Sequence, residues 1–437
     1  MVNNKALTPY EQTIKTLSER LVEAQKPIRI LNTLKWDNSI QEYFFSHKFK
    51  KLPPIDQAYY EKYPLNFDPR KKTEEFYAIE LDIRRKLGQF SGIGGIMRRM
   101  CREYREVIRL LQARGTPEFS KISQDLYGSS NDAFYAGAPT LKDLAILVSD
   151  TLTRLRRTEV DEAEIKRFSS EEAVAILSER LSHYFQVDPK SKKKPVRVIL
   201  SDDIIADAAA GADTIRIRRG SEFSERDLRI FEVHEGWVHI ATTLNGLSQP
   251  ICTFLSKGPP SSTLNQEGLA IIMEIFTFSS YPRRVQRLTD RITAIHMAEE
   301  GANFIEVFNF CRDQGLSDIE SYSSTRRIFR GSLPTEGPFT KDLSYSKGFI
   351  LIYNYIRIAV QKGLQDYIPL LFLGKTTLED LHIFADLLEG GILIPPTYLP
   401  PQFKDLSALS AWMSYSLFLN RLSLEHLTTD YNVFLHR

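Results

Sequence analysis

The chain predicts a mainly helical α+β fold, and three observations carry that expectation. Apolar residues recur at helical spacing through most of residues 1–190, short runs with strand texture cluster between 196 and 218, and helical patterns then continue to the end. In the first region the expected helices are Glu74–Leu87, Ile93–Gln112 and Leu141–Thr153, with breaks at Leu52-Pro53-Pro54 and Gly137-Ala138-Pro139. No chemical motif falls there. Residues 1–190 are therefore expected to form a mostly helical region that packs on a functional core of residues 191–437. The lysines at 190, 192, 193 and 194, flanked by Pro189 and Pro195, read as a solvated linker and not as a binding patch.

The texture changes at Pro195. Val196-Arg197-Val198-Ile199-Leu200 reads as a strand, followed by an acidic turn at Asp202-Asp203 and a small-residue stretch ending in Gly211. Thr214-Ile215-Arg216-Ile217-Arg218 alternates apolar and charged residues, which suits an edge strand whose arginines discourage unwanted pairing. Such an edge could receive an extended peptide, or simply tolerate solvent. Ser224-Glu225-Arg226-Asp227 is a capping-box start, an apolar stripe at Ile230, Val233, Trp237, Ile240 and Leu244 continues the helix, and Asn245-Gly246 is the expected stop. After a loop at Gly258-Pro259-Pro260, Thr263-Leu264-Asn265-Gln266 looks like a second capping box, opening a helix that carries Glu267, Ala270, Ile271 and Glu274. One polar interruption, Gly331 to Thr340, breaks the helical remainder.

Composition narrows the function. With 57 basic against 55 acidic side chains, the net charge of +2 gives no reason to expect nucleic acid or an anionic membrane as the main partner. No run approaches the ~20 apolar residues needed to span a bilayer. The opening Met-Val-Asn-Asn-Lys lacks the apolar core of a secretory signal, and Cys101, Cys252 and Cys311 suggest neither a disulfide framework nor a cysteine-rich metal site. The expected compartment is the cytoplasm. Oligomeric state is not legible.

The stretch with most chemical content is His234-Glu235-Gly236-Trp237-Val238-His239. Two imidazoles bracketing a carboxylate can hold and use a metal ion, but the familiar H-E-x-x-H motif spaces its histidines four apart. Here the spacing is five. At roughly 100° per residue the rings would stand about 140° apart on a regular helix, too far to share an ion. A single π-bulge would restore a common face. Without it the stretch is an ordinary buried helix with two hydrogen-bonded histidines. A catalytic zinc takes three protein ligands, and Glu267 on the next helix can deliver the third; Glu274, two turns on, could orient a histidine or make a structural salt bridge. Zinc then lowers the pKa of water, and Glu235 takes the proton as that water attacks a carbonyl. Lys341 and Tyr345, four apart, could donate to the developing oxyanion. Arg326 and Arg330, with Arg327 beside them, could bind a substrate carboxylate. From spacing alone these cations read as surface charges.

His234-Glu235-x-x-x-His239 followed by Gln266-Glu267-Gly268-Leu269-Ala270 resembles the family named for its Gln-Glu-Gly-Leu-Ala motif. Its bacterial members are labelled flavohaemoglobin expression-modulating proteins, and its vertebrate relatives are the microtubule-associated tyrosine carboxypeptidases, which remove a C-terminal tyrosine from tubulin. The resemblance continues through Asn245-Gly246, Gln249-Pro250, Arg327-Ile328-Phe329-Arg330-Gly331 and Phe339-Thr340-Lys341-Asp342-Leu343-x-Tyr345-x-x-Gly348, and is strongest from about 196 to 375. It implies a gluzincin-like peptidase core with a small mixed sheet, one Zn2+ ion on His234, His239 and Glu267, and Glu235 as the base. It also implies a carboxypeptidase acting on a peptide or protein C-terminus. Trp237 is bulkier than in many relatives, and Ser344 and Ser346 flank Tyr345 where apolar residues are expected, which bears on substrate fit. The alternatives are a non-catalytic regulator on a peptidase fold, and an endopeptidase or aminopeptidase using the same zinc site.

Overall fold

The computed structural model describes residues 6–155, 162–185, 195–202, 204 and 206–435. The lysines at 190 to 194 and Asp203 lie outside the described residues. Helices dominate, accompanied among the described residues by one two-stranded and one three-stranded sheet. The expected helices in the first region are present as Pro69–Leu87, Gly92–Gln112 and Leu141–Arg154. The first starts five residues early because Asp68 caps it and Pro69 supplies a preset first turn. The second is capped by Ser91, buries Ile93, Met97, Met100, Tyr104, Val107 and Leu111 along one side, and stacks Tyr104 on Phe76 with ring centroids 5.3 Å apart.

The strands are β1 (Phe168–Ser169), β2 (Arg197–Ser201), β3 (Ala208–Ala210), β4 (Thr214–Arg218) and β5 (Glu222–Phe223). β1 pairs antiparallel with β5. In the other sheet β2 runs parallel to β4 and β3 runs antiparallel to it, so the small mixed sheet is present. β4 is its central strand, which corrects the expectation of an edge. Its alternation marks one solvated face: Ile215 and Ile217 are buried, while Arg216 on the opposite face is exposed and Arg218 pairs with Asp207. The sheet's two edges are β2 and the alanine strand β3.

The main apolar core joins residues from both sides of position 190, among them Leu17, Met97, Leu177, Val233, Leu269, Ile352 and Phe372. A second, aromatic cluster gathers Trp36, Phe44, Phe304, Phe308 and Tyr322, with ring centroids 5.0–5.8 Å apart. All three cysteines are buried and free.

Two helix boundaries differ from expectation. The helix bearing Glu267 spans Pro260–Phe276, with Pro260 fixing its first turn, so Thr263 is internal and Glu267 lies two turns in. The motif helix runs on through Asn245-Gly246 to Leu247. Asn245 is buried there for its side chain: Nδ2 donates to the carbonyls of Phe372 and Tyr398, and Oδ1 accepts from the N–H groups of Thr397 and Tyr398. Gly246 is required by a close approach, since a Cβ would lie 2.3 Å from the Leu255 carbonyl oxygen.

A close approach of two helix backbones lies beside the site. The helix Pro260–Phe276 crosses Ser344–Gln361 at Gly268 and Gly348, where a Cβ on Gly268 would sit 2.3 Å from the Gly348 carbonyl carbon, and one on Gly348 would sit 2.1 Å from the Leu264 oxygen. Gly268→Ala should therefore destabilise the protein by about 3 kcal/mol or more in urea denaturation. Gly95→Ala, in a helix with open space around it, should stabilise by up to about 1 kcal/mol. Equal effects of the two substitutions would contradict the packing argument.

Candidate metal centre

The motif segment is widened more than a single bulge requires. Phe231–Ile240 is π-helical over ten residues, and the Ala241 N–H closes an i→i+5 bond onto the Gly236 carbonyl. In this winding a spacing of five is one turn, so the two rings come together with centroids 4.9 Å apart. Gly236 admits the helix Ser170–Tyr184 on the outer side, since a Cβ would lie 2.4 Å from Leu181 Cδ2. Trp237 stacks on Tyr184 at 5.2 Å.

Glu267 reaches the rings from the neighbouring helix. Its Oε2 lies 3.5 Å from His234 Nε2 and 3.6 Å from His239 Nε2, and one donor atom from each of the three residues falls within 4.8 Å of the others. Ligand atoms about 2.0–2.1 Å from a tetrahedral zinc stand roughly 3.3–3.4 Å apart, so the spacing suits such an ion. Glu267 Oε2 is also buried without a hydrogen-bond partner, a cost that a bound cation removes. Burial opposes ionisation of Glu267, but Lys341 and the two histidines outweigh it and hold the carboxyl far below its usual range. Burial likewise disfavours charge on His234, yet Glu267 and Glu274 overcome it and hold the ring up at about 10. The carboxylates of Glu267 and Glu274 thus favour a cation where the three groups meet.

Each ring is backed on its other nitrogen. Glu274 Oε1 accepts from His234 Nδ1 at 2.7 Å, and Arg284 holds that carboxylate with Nε at 3.0 Å and a terminal nitrogen at 2.8 Å. His239 Nδ1 faces Gln266 Oε1 at 3.5 Å. Glu235 stands apart from the cluster of three. Its Oε2 accepts the Ala210 N–H at 2.8 Å, which ties the motif helix to the edge strand β3.

His234, Glu235, His239, Gln266 and Glu267 line a cavity of about 810 Å³. The sequence profile of the microtubule-associated tyrosine carboxypeptidase family matches residues 42–421, most of the chain. The chain belongs to this family. No curated protein matches it. Within this family member the cavity brings together Glu235, Arg327, Arg330, Lys341 and Tyr345 with the histidines and Glu267. Lys341 lies in the short turn Thr340–Leu343 and donates to Glu267 Oε1 at 3.2 Å. The Tyr345 ring sits 6.2 Å from the His234 ring, and Arg291 lies over it at 5.3 Å.

The arginines are not surface charges, which corrects that expectation. Arg326 and Arg330 are buried, and Arg327 is mostly so. Their helix, Asp318–Phe329, packs into the aromatic cluster, which takes its cationic end under the fold. Arg326 lies over the Tyr322 ring and does not line the cavity. Arg327 is committed to Asp342 through two bonds of 2.8 and 3.1 Å. Arg330 has no carboxylate partner among the described residues; burial, then Arg327, draws its guanidinium down to about 10, still a cation at neutral pH. Arg284 and Lys375 went unrecognised in the sequence, because basic residues far from the motif carry no spacing signal that ties them to it.

Asp342→Asn leaves Arg327 as an uncompensated charge and should cost about 3 kcal/mol or more in denaturant-monitored stability. A loss under about 1 kcal/mol would show that the pair is not needed to hold Arg327 in place.

Proposed function

We propose that the protein is a zinc-dependent carboxypeptidase that releases one residue from the C-terminus of a peptide or protein, with preference for acidic chains. Arg330 carries this reading: a buried guanidinium that forms no ion pair with a carboxylate among the described residues, in the same cavity as the two histidines and Glu267. A terminal carboxylate is its natural ligand. The family's name, tyrosine carboxypeptidase, supports the same activity. The preference for acidic chains rests on charge: the cavity is lined by nine basic side chains and three acidic ones, although the whole chain carries only +2.

His234, His239 and Glu267 would hold the ion. When bound, zinc supplies Lewis acidity, polarising a carbonyl and lowering the pKa of water toward neutrality. Glu235 accepts the proton from the attacking water and passes it to the departing amine. Its tie to Ala210 keeps the carboxylate beside β3, whose free edge can hold an extended substrate by main-chain bonds. Lys341 and Tyr345 supply an ammonium and a phenol for charge developing on the carbonyl oxygen. Arg330 anchors the carboxylate of the residue to be released. No described helix is long and apolar enough to cross a membrane.

Glu235→Gln should keep one equivalent of zinc and lose about 10²–10⁴ in kcat. Loss of the metal together with activity would make Glu235 a ligand instead. Arg330→Gln should raise KM about 10- to 100-fold for peptides with a free C-terminal carboxylate and leave C-terminally amidated peptides unchanged. An equal change for both substrates would remove the carboxylate-binding role, and cleavage of amidated peptides by the parent protein at undiminished rate would indicate an endopeptidase.

A further inference from the structure

Gln266 directly precedes the carboxylate ligand, and its amide is clamped from two sides by consecutive residues of one loop. On one side the Gly374 main-chain carbonyl, which can only accept, lies 3.5 Å from Gln266 Nε2. On the other, Lys375 Nζ donates to Gln266 Oε1 at 2.7 Å. Together these contacts decide which end of the amide is oxygen. The same oxygen lies 3.5 Å from His239 Nδ1 and 2.8 Å from Thr242 Oγ1. An acceptor facing Nδ1 places the ring proton there and leaves the lone pair on Nε2, the nitrogen turned toward Glu267.

The loop is itself anchored. The Lys375 N–H donates to the Leu255 carbonyl at 2.7 Å, and at Gly374 a Cβ would sit 2.5 Å from that same oxygen. Lys375 Nζ also reaches the His239 main-chain carbonyl at 3.2 Å and Thr242 Oγ1 at 3.1 Å, so one side chain grips both the histidine's backbone and the amide that orients its ring. A group this far from the cluster in sequence, donating in three directions toward one ligand, is more than a neutral filler.

We infer that Lys375, acting through Gln266, is a positioning residue that sets the tautomer of His239 and presents its Nε2 to the metal; this rests on the zinc reading above. Supporting groups of this kind are commonly worth 10- to 100-fold in metal affinity.

The test uses the full chain and a chelator competition for Zn2+, alongside imidazole ¹⁵N–¹H correlation spectra of histidine-labelled protein. Lys375→Met should weaken zinc binding about 10- to 100-fold, and Gln266→Met should do the same. Combining them should add little, because both interrupt one path. In the zinc-loaded spectra, where the ion lies between His239 Nε2 and the Glu267 carboxylate, His239 should hold its proton on Nδ1 in the parent protein and shift to a mixture of tautomers in Lys375→Met. Unchanged affinity and an unchanged tautomer in Lys375→Met would overturn the inference while leaving the zinc reading intact. A parent protein that binds no zinc would overturn both. If Lys375→Met does not fold, Gln266→Met carries the same comparison: unchanged affinity with an unchanged tautomer would equally overturn the inference.

Discussion

The contact between Gly268 and Gly348 sets the distance on which the whole centre depends. With no side chain on either residue, two helices approach until backbone meets backbone. Glu267 is the neighbour of one glycine, and Tyr345 lies one turn before the other, with Lys341 just ahead of it. One crossing therefore places a carboxylate, a phenol and an ammonium on the same cavity. The ten-residue π segment supplies the opposing wall, turning His234 and His239 toward Glu267. Neither helix alone makes a site. The site is the seam between them.

Charge around that seam is managed by pairing. Arg284 neutralises Glu274, which is then free to orient His234 without adding a bare negative charge to the core. Asp342 does the same for Arg327. After these pairs are formed, Arg330 Nε and Glu267 Oε2 are left without a hydrogen-bond partner among the described residues. On the proposed reading, a buried cation and a buried acceptor left open in one cavity are where a substrate carboxylate and a metal ion would bind. They are expensive in a folded protein and are tolerated where binding uses them.

Much of this was legible in the sequence, for physical reasons that can be traced. The helices Gly92–Gln112 and Leu141–Arg154 were visible because their apolar stripes and caps are local. The spacing of five between the histidines made a shared ion conditional on a widened helix, although not on one ten residues long. Glu267 was identifiable because its motif lies on the next helix. What local patterns did not show was anything decided by distant partners. β4 looked like an edge because alternation reports a solvated face, and only its neighbours β2 and β3 make it central. Asn245 looked like a helix stop, but its side chain is held by a segment some 150 residues away. Arg327 and Arg330 looked like surface charges because burial is a property of the assembled fold. Lys375 left no trace, since its meaning comes entirely from Gln266, 109 residues earlier.

The central claim is that two imidazoles and one carboxylate share a single zinc ion. Anomalous diffraction recorded on both sides of the zinc absorption edge, from crystals grown with the ion supplied, tests it most directly. The account predicts one strong peak within about 2.0–2.2 Å of His234 Nε2, His239 Nε2 and a Glu267 oxygen. A crystal in which those atoms turn away from one another, with the anomalous density elsewhere or absent, would contradict it.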